Sequence, residues 1–298
     1  MMELNYALNT MFFLISGAMI MWMAAGFTAL EAGSVRTKNV TEILTKNVAL
    51  FAVASIAFLL SGYEVMYGWN EPETHSMYAD FFFQMVFVAT AMSVVSGAVA
   101  ERKKLWSFLI FSAIFAGIIY PLEGAWTWGG GWLSQLGFFD FAGSGIVHMA
   151  GASAALAAVL IIGPRDGKYD KNGNPRNIPG SNMPLVALGT LILWMGWFFF
   201  NGGSQLAFST VIDAQALGKI FVNTNMAAAG GLLGAMIVSK LWTKRVVLNV
   251  TLNGALAGLV VITADPLSPS PQIVVLYGML GGGIIPFAMT LIEKWGID

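Results

Sequence analysis

The chain contains no cysteine and only two histidines, His75 and His148. The first absence excludes disulfides, thiolate metal sites and cysteine nucleophiles, and the second leaves too few imidazoles for a conventional multi-histidine metal centre. Charge is scarce too: 10% of the residues are Asp, Glu, Lys or Arg, against roughly a quarter in soluble domains. The 15 basic and 16 acidic residues balance to a net charge of −1. No basic cluster with interleaved aromatics appears, so nucleic acid is not an expected partner. No nucleophile–base pair or metal constellation can be drawn either, so no enzyme activity is expected and no cofactor is implied.

What fills the 298 residues instead is apolar: 57% are hydrophobic and the mean hydropathy is +0.71. That composition belongs to an all-α polytopic membrane protein, with a lipid bilayer as its surroundings. A span needs about 20 apolar residues. Nine segments qualify, near 9–32, 43–67, 80–100, 104–122, 140–163, 183–201, 217–239, 247–264 and 272–292. The first reads as a true span, since its apolar run exceeds the roughly 7–15 residues of a signal-peptide core and no base precedes it. The 34 glycines suit helices whose backbones approach closely.

The connectors alternate in charge. Arg36 and Lys38, then Arg102, Lys103 and Lys104, then Arg165, Lys168, Lys171 and Arg176, then Lys240, Lys244 and Arg245, and finally Lys294 follow the odd-numbered spans. The opposite connectors carry Glu71, Glu73, Asp80, Asp213 and Asp265, with Lys219 as their base. Lysine and arginine gather on the cytoplasmic side, so the N-terminus is expected outside and the C-terminus inside.

His148 sits in the middle of the fifth span, within Ser144-Gly-Ile-Val-His148-Met-Ala-Gly151. An ionisable group kept at mid-membrane depth marks a substrate or proton path by default. A neutral imidazole accepts at one nitrogen and donates at the other, which suits a small solute with both capacities. Asp140 opens the same span, where a carboxylate caps free backbone N–H groups. Trp128 lies in the Gly- and Trp-rich connector Trp126-Thr-Trp128-Gly-Gly-Gly-Trp132. Taken alone it is an interfacial belt aromatic, and Phe87 and Phe200 taken alone are packing residues. His75, in a polar outer connector, reads as an ordinary surface residue. Glu31, Glu64 and Glu123 sit near span ends, where solvation suits them, and they are given no role.

A faint internal echo links Gly26-Phe27…Ala32-Gly33-Ser34 with Gly196-Trp197…Gly202-Gly203-Ser204 at an offset of 170 residues. Five spans separate the two, so such copies run in opposite directions, the plan of inverted-repeat transporters. The chain then forms one transmembrane domain over 1–298, with a first repeat of about 1–165 and a second of about 180–298. Five spans in the first half face four in the second, so the second half is expected to be truncated.

Trp128-Gly-Gly-Gly…Asp140-Phe-Ala-Gly…His148, followed by Gly196-Trp-Phe-Phe-Phe-Asn201-Gly-Gly-Ser204, resembles the ammonium transporter family (Amt/Mep/Rh). Gly33-Ser-Val-Arg-Thr-Lys38-Asn-Val40 and Gly97-Ala-Val-Ala-Glu101-Arg102 add to the resemblance, which runs through the whole chain. It implies a bundle of eleven helices, about nine of them present, assembled as a homotrimer in the plasma membrane with a narrow hydrophobic pore in each subunit. By the resemblance, Trp128 and Ser204 form an outer ammonium recognition site, shaped by Asp140. Phe87 and Phe200 gate the pore, lined further by His148 and Trp197. Phe87 also closes the recognition site from below. The second histidine of the family's pore pair has no counterpart in this sequence. A nitrogen-signalling PII-type protein is the implied cytoplasmic partner.

On this reading, ammonium gathers outside on an indole face, gives up its proton, and crosses as ammonia with or without that proton. Potassium, with no proton to lose, is rejected. The competing reading is a receptor on the same scaffold that binds ammonium with little flux. A retinal photoreceptor is disfavoured, because Lys46 lies near the cytoplasmic end of the second span rather than in its middle.

Overall fold

The computed structural model describes residues 2–102 and 104–298; Lys103, one of the basic residues counted after the third span, lies outside them. Among the described residues, nine apolar helices carry the fold. They are α1 (Met2–Ser34), α2 (Thr37–Met66), α3 (Met77–Ala98), α4 (Leu105–Gln135), α5 (Ser144–Ile162), α6 (Met183–Gly203), α7 (Val211–Thr243), α8 (Leu248–Thr263) and α9 (Pro271–Lys294). Eight are long and apolar enough to cross a membrane, and α8 is the shorter ninth. Its 16 residues reach about 24 Å at 1.5 Å per residue. All nine expected spans are therefore present as helices.

The helices meet through glycine. α1 packs along α6, where the backbone of Gly189 lies directly against Gly26 and Leu30. In the second half α7, α8 and α9 converge at Gly231, Gly258 and Gly282, and a Cβ on Gly282 would overlap the Gly231 carbonyl. Where lipid is as apolar as leucine, such close backbone approach is what lets helices associate. α3 is the most enclosed span, buried on nearly every face from Phe83 to Ser96.

Three helices contain a π-helical turn: Phe58–Gly62 in α2, Phe115–Ile119 in α4 and Ser144–Met149 at the start of α5. The first two face each other, and the Ser61 hydroxyl donates to the Gly117 carbonyl at 2.9 Å. The wider turn leaves a carbonyl unmatched within its own helix, and a neighbour supplies the donor.

The ends of the bundle differ in chemistry. At one end, Arg36, Glu101, Arg102, Arg165 and Asp298 form a linked set of ion pairs, extended by Lys168 to Glu293. At the other, the Tyr6 hydroxyl donates to Glu71 at 2.6 Å, and the Phe208 N–H donates to the Asn9 side chain at 2.9 Å. Within the helices, near the first of these ends, lies a further buried pair. Lys46 reaches Glu31 at 3.1 Å and the Ser96 carbonyl at 2.8 Å, while Asn47 and Ser96 also donate to Glu31. The solvated position expected for Glu31 does not hold: its side chain is 3% exposed. The cause is the cationic partner on α2, fifteen residues away, which makes burial of the carboxylate tolerable.

Candidate functional site

Asp140 organises the entry to α5. Its two carboxylate oxygens accept the backbone N–H groups of Gly143, Ser144, Gly145 and Ile146 at 3.1, 2.9, 2.8 and 2.9 Å. These are the donors a helix start leaves without partners, as the sequence suggested. Gly143 makes the turn possible with φ of +103°, a left-handed conformation open to glycine. The segment is tied across to α8, with Phe141 and Ala142 donating to the carbonyls of Ala264 and Thr263 at 2.9 and 3.1 Å.

That anchored start fixes Trp128, whose indole N–H donates to the Asp140 carbonyl at 2.8 Å. The Trp128 ring meets the edge of Phe87 with centroids 5.9 Å apart and planes at 87°. Phe87 and Phe200 lie against each other at 4.3 Å, both about 99% or more buried. Below them His148 stacks on Trp197 at 4.8 Å and 15°, and touches Phe200 at 5.4 Å. Trp197 is held in turn by its indole N–H, which donates to the buried Thr263 hydroxyl at 2.7 Å. Sequence reasoning found Trp197 but not its anchor, because Thr263 is a small residue 66 positions away with no local signal.

Two cavities adjoin this aromatic file. One, of about 530 Å³, is walled by Phe87, Trp128, Asp140 and Ser204 together with Asp80 and His75. The other, of about 700 Å³, is walled by His148, Trp197, Asp140 and Ser144. The two share a wall of Phe138, Phe139 and Asp140, and Phe87 lines the first alone. The structure thus brings Trp128, Ser204, Phe87 and Asp140 to one cavity, and His148 and Trp197 to the other. The Ser204 hydroxyl donates to the Phe200 carbonyl at 2.8 Å. The Nε2 atom of His148 is buried with no hydrogen-bond partner among the described residues. A backbone-satisfied imidazole, the ordinary expectation for a buried histidine, is not what this nitrogen shows.

His75 departs from its expected surface role. It stacks on Phe13 at 4.2 Å and 16° and forms part of the wall of the first cavity. The rings continue inward from Phe13 to Phe83 at 5.1 Å and from Phe83 to Phe87 at 4.8 Å. Burial lowers the His75 pKa from its ordinary value, opposed in part by the carboxylates of Asp80 and Glu71. Asp80 and Gln84 are the other residues that sequence reasoning passed over. A signal was present: Asp80, Gln84 and Phe87 follow i, i+4, i+7 spacing, one face of one helix. Glu64 behaves as expected on the surface, accepting the Trp69 N–H at 3.1 Å.

With the geometry described, comparison with known proteins identifies the lineage. Residues 11–298 match the model of the Ammonium Transporter Family, and the chain belongs to that family. It is 43% identical over 309 residues to the ammonium transporter Amt2 of Archaeoglobus fulgidus, covering 96% of this chain and 65% of that protein. With ammonium transporter Amt1 of Methanocaldococcus jannaschii the identity is 36% over 298 residues, covering 96% and 73%. Among solved structures, a sensor Amt protein superposes with a TM-score of 0.95 at 36% identity, covering all of this chain and 78% of the other. Candida albicans Mep2 superposes at 0.89 with 27% identity, covering 100% and 70%. The chain therefore spans just under two thirds of the length of the Archaeoglobus relative.

Proposed function

We propose that this chain forms the conduction path of an ammonium transporter. The observation that carries the reading is the unbroken contact of Trp128, Phe87, Phe200, His148 and Trp197, with Trp128 and Phe87 lining one cavity and His148 and Trp197 lining another. In the outer cavity the Trp128 face attracts a small cation by about 0.5–2 kcal/mol, and Ser204 and Asp140 add polar character beside it. The touching phenylalanines leave no polar partner for a bare ion, so passage favours a species that has shed its charge. Beyond them, the free Nε2 of His148 offers ammonia its first hydrogen-bonding partner, and the Trp197 stack holds that ring in place.

The same reading sets α1–α5 against α6–α9 as inverted halves, supported by the packing of α1 along α6. The gathering of Arg36, Arg102, Arg165 and Lys168 at one end supports placing that end in the cytoplasm and the N-terminus outside. Residence in the plasma membrane, assembly as a homotrimer and regulation by a PII-type protein rest on the family resemblance.

A test is ammonium-evoked charge movement across liposomes holding the purified chain. Trp128→Leu combined with Ser204→Ala is expected to lower the response at low ammonium about tenfold or more, which equals the loss of about 1.4 kcal/mol of cation attraction. An unchanged response would remove this recruitment site. The structural neighbour that is a sensor supports a second reading, in which ammonium binds but little crosses. Saturable binding to the wild-type chain without charge movement would select it.

A further inference from the structure

The outer cavity contains a carboxylate that the transport reading does not use. Asp80 lies in the first turn of α3, is 9% exposed, and forms part of the cavity wall. Its contacts are neutral: the Tyr63 hydroxyl donates to one oxygen at 2.6 Å and the Gln84 amide to the other at 3.2 Å. Among the described residues no Lys, Arg or His nitrogen lies within ion-pair distance of it. By contrast Glu31, Glu101 and Asp298, with side chains 3%, 0% and 4% exposed, each meet at least one cation. The helix start offsets part of the burial cost through the α3 dipole, but supplies no full counter-charge.

We infer that Asp80 is a second cation position in the outer cavity, about two helical turns outward of Phe87, taking a small monovalent cation with N–H donors such as ammonium. The chemistry fits. A carboxylate has about four lone-pair sites, and two are occupied here, which leaves acceptors for a guest. Gln84, by donating through its amide nitrogen, keeps its carbonyl oxygen as a further acceptor. Tyr63, Tyr67 and Phe83 wall the same cavity and provide ring faces that favour a cation. His75, also on the wall, is held toward its neutral form by burial and does not compete as a resident cation near neutral pH. Seven residues separate Asp80 from Phe87, or about 10 Å along the helix, so the two positions can be filled in succession. An ion waiting at Asp80 is already partly dehydrated before it reaches Trp128.

This inference rests on the transport reading for the identity of the cation. The experiment is ammonium binding to the purified full chain in nanodiscs, read by tryptophan fluorescence at constant ionic strength with choline as the replacement ion. Asp80→Asn is expected to raise the apparent Kd about tenfold or more, the loss of one close charge–charge contact in a partly aqueous site. An unaltered Kd in a folded Asp80→Asn protein overturns the inference, and leaves the transport reading in place if Ser204→Ala still weakens binding. Absence of saturable binding to the wild type overturns both. Should Asp80→Asn fail to fold, Tyr63→Phe decides. It removes a donor from the carboxylate without touching its charge, so ammonium is expected to bind about threefold more tightly. Binding that is unchanged or weaker in Tyr63→Phe would then overturn the inference, because a merely structural Tyr63–Asp80 contact gives no tightening.

Discussion

The two ends of this bundle treat carboxylates in opposite ways. At the end holding Glu101, each buried acid is met by guanidinium or ammonium groups. Glu101 accepts from Arg36, Asn39 and Arg165, and Asp298 from Arg165 and Arg102. At the end holding Trp128, Asp80 and Asp140 are met only by neutral donors, namely a tyrosine, a glutamine and a helix start. The paired acids fasten three connectors together, since Arg36, Glu101 and Arg165 come from separate loops. The unpaired acids leave negative potential beside an open cavity. Charge is balanced across the packed connectors and unbalanced beside the cavity.

Three measurements break or sharpen that contrast. The largest effect is expected at the Trp128 end from Asp140→Ala, which strips partners from four N–H groups and loosens Trp128. A loss of about 3 kcal/mol or more is expected, because each orphaned buried donor costs about 1–3 kcal/mol. Thermal unfolding of the detergent-solubilised chain measures it, and a drop under a third of that would mean water replaces the carboxylate freely. At the opposite end Glu101→Ala leaves Arg36 and Arg165 without their shared acid. A cost of about 2–4 kcal/mol is expected, in the range for breaking one member of a buried ion pair, with limited proteolysis attacking the loops around Arg36 and Arg165 first. Even cleavage across all connectors would show that Glu101 is not their common tie.

The smallest effect separates the ends by pH. Burial alone would push the Glu101 carboxyl up, but the donors from Arg36, Asn39 and Arg165 outweigh it and hold it below the ordinary carboxylate range. A depressed carboxyl stabilises the fold above its unfolded value and loses that contribution as pH falls through its folded value, so the Glu101 end weakens only below about pH 4. His75 is also harder to protonate in the fold than in the unfolded chain. Its neutral form favours the fold at neutral pH, and that advantage declines as pH drops below about 6.5. Between pH 7 and 5, stability should therefore fall slightly in the wild type and not in His75→Gln. Identical profiles for the two proteins would mean His75 does not sense its buried setting.

Much of the architecture was legible because hydropathy is additive along a span. All nine helices, the alternation of charged connectors and the Asp140–His148 spacing could be read from contiguous residues. The Asp140 cap was legible for the same reason, since its four partners lie within six positions. Features made by distant residues were not. Glu31 and Lys46 looked like separate span-end charges, because nothing in either helix says that the other will face it. His75 looked solvated because its connector is polar, whereas its burial comes from Phe13, 62 residues earlier. Thr263 was invisible for the same reason. Asp80 is the instructive exception: its spacing to Gln84 and Phe87 was available, but its charge drew it into the tally of connector acids and away from the helix face it shares with Phe87.

Ser204 carries one more consequence. Its hydroxyl hydrogen is turned into its own helix, onto the Phe200 carbonyl. The indole hydrogen of Trp128 goes to the Asp140 carbonyl, and the phenol hydrogen of Tyr63 to Asp80. Three groups that elsewhere would greet a solute with hydrogens therefore greet it with lone pairs and ring faces. A tetrahedral donor with four hydrogens and no lone pair finds partners there. Chloride or nitrate, which need the reverse, find none on these three residues. At these three residues the polarity of hydrogen bonding favours a donor over an acceptor.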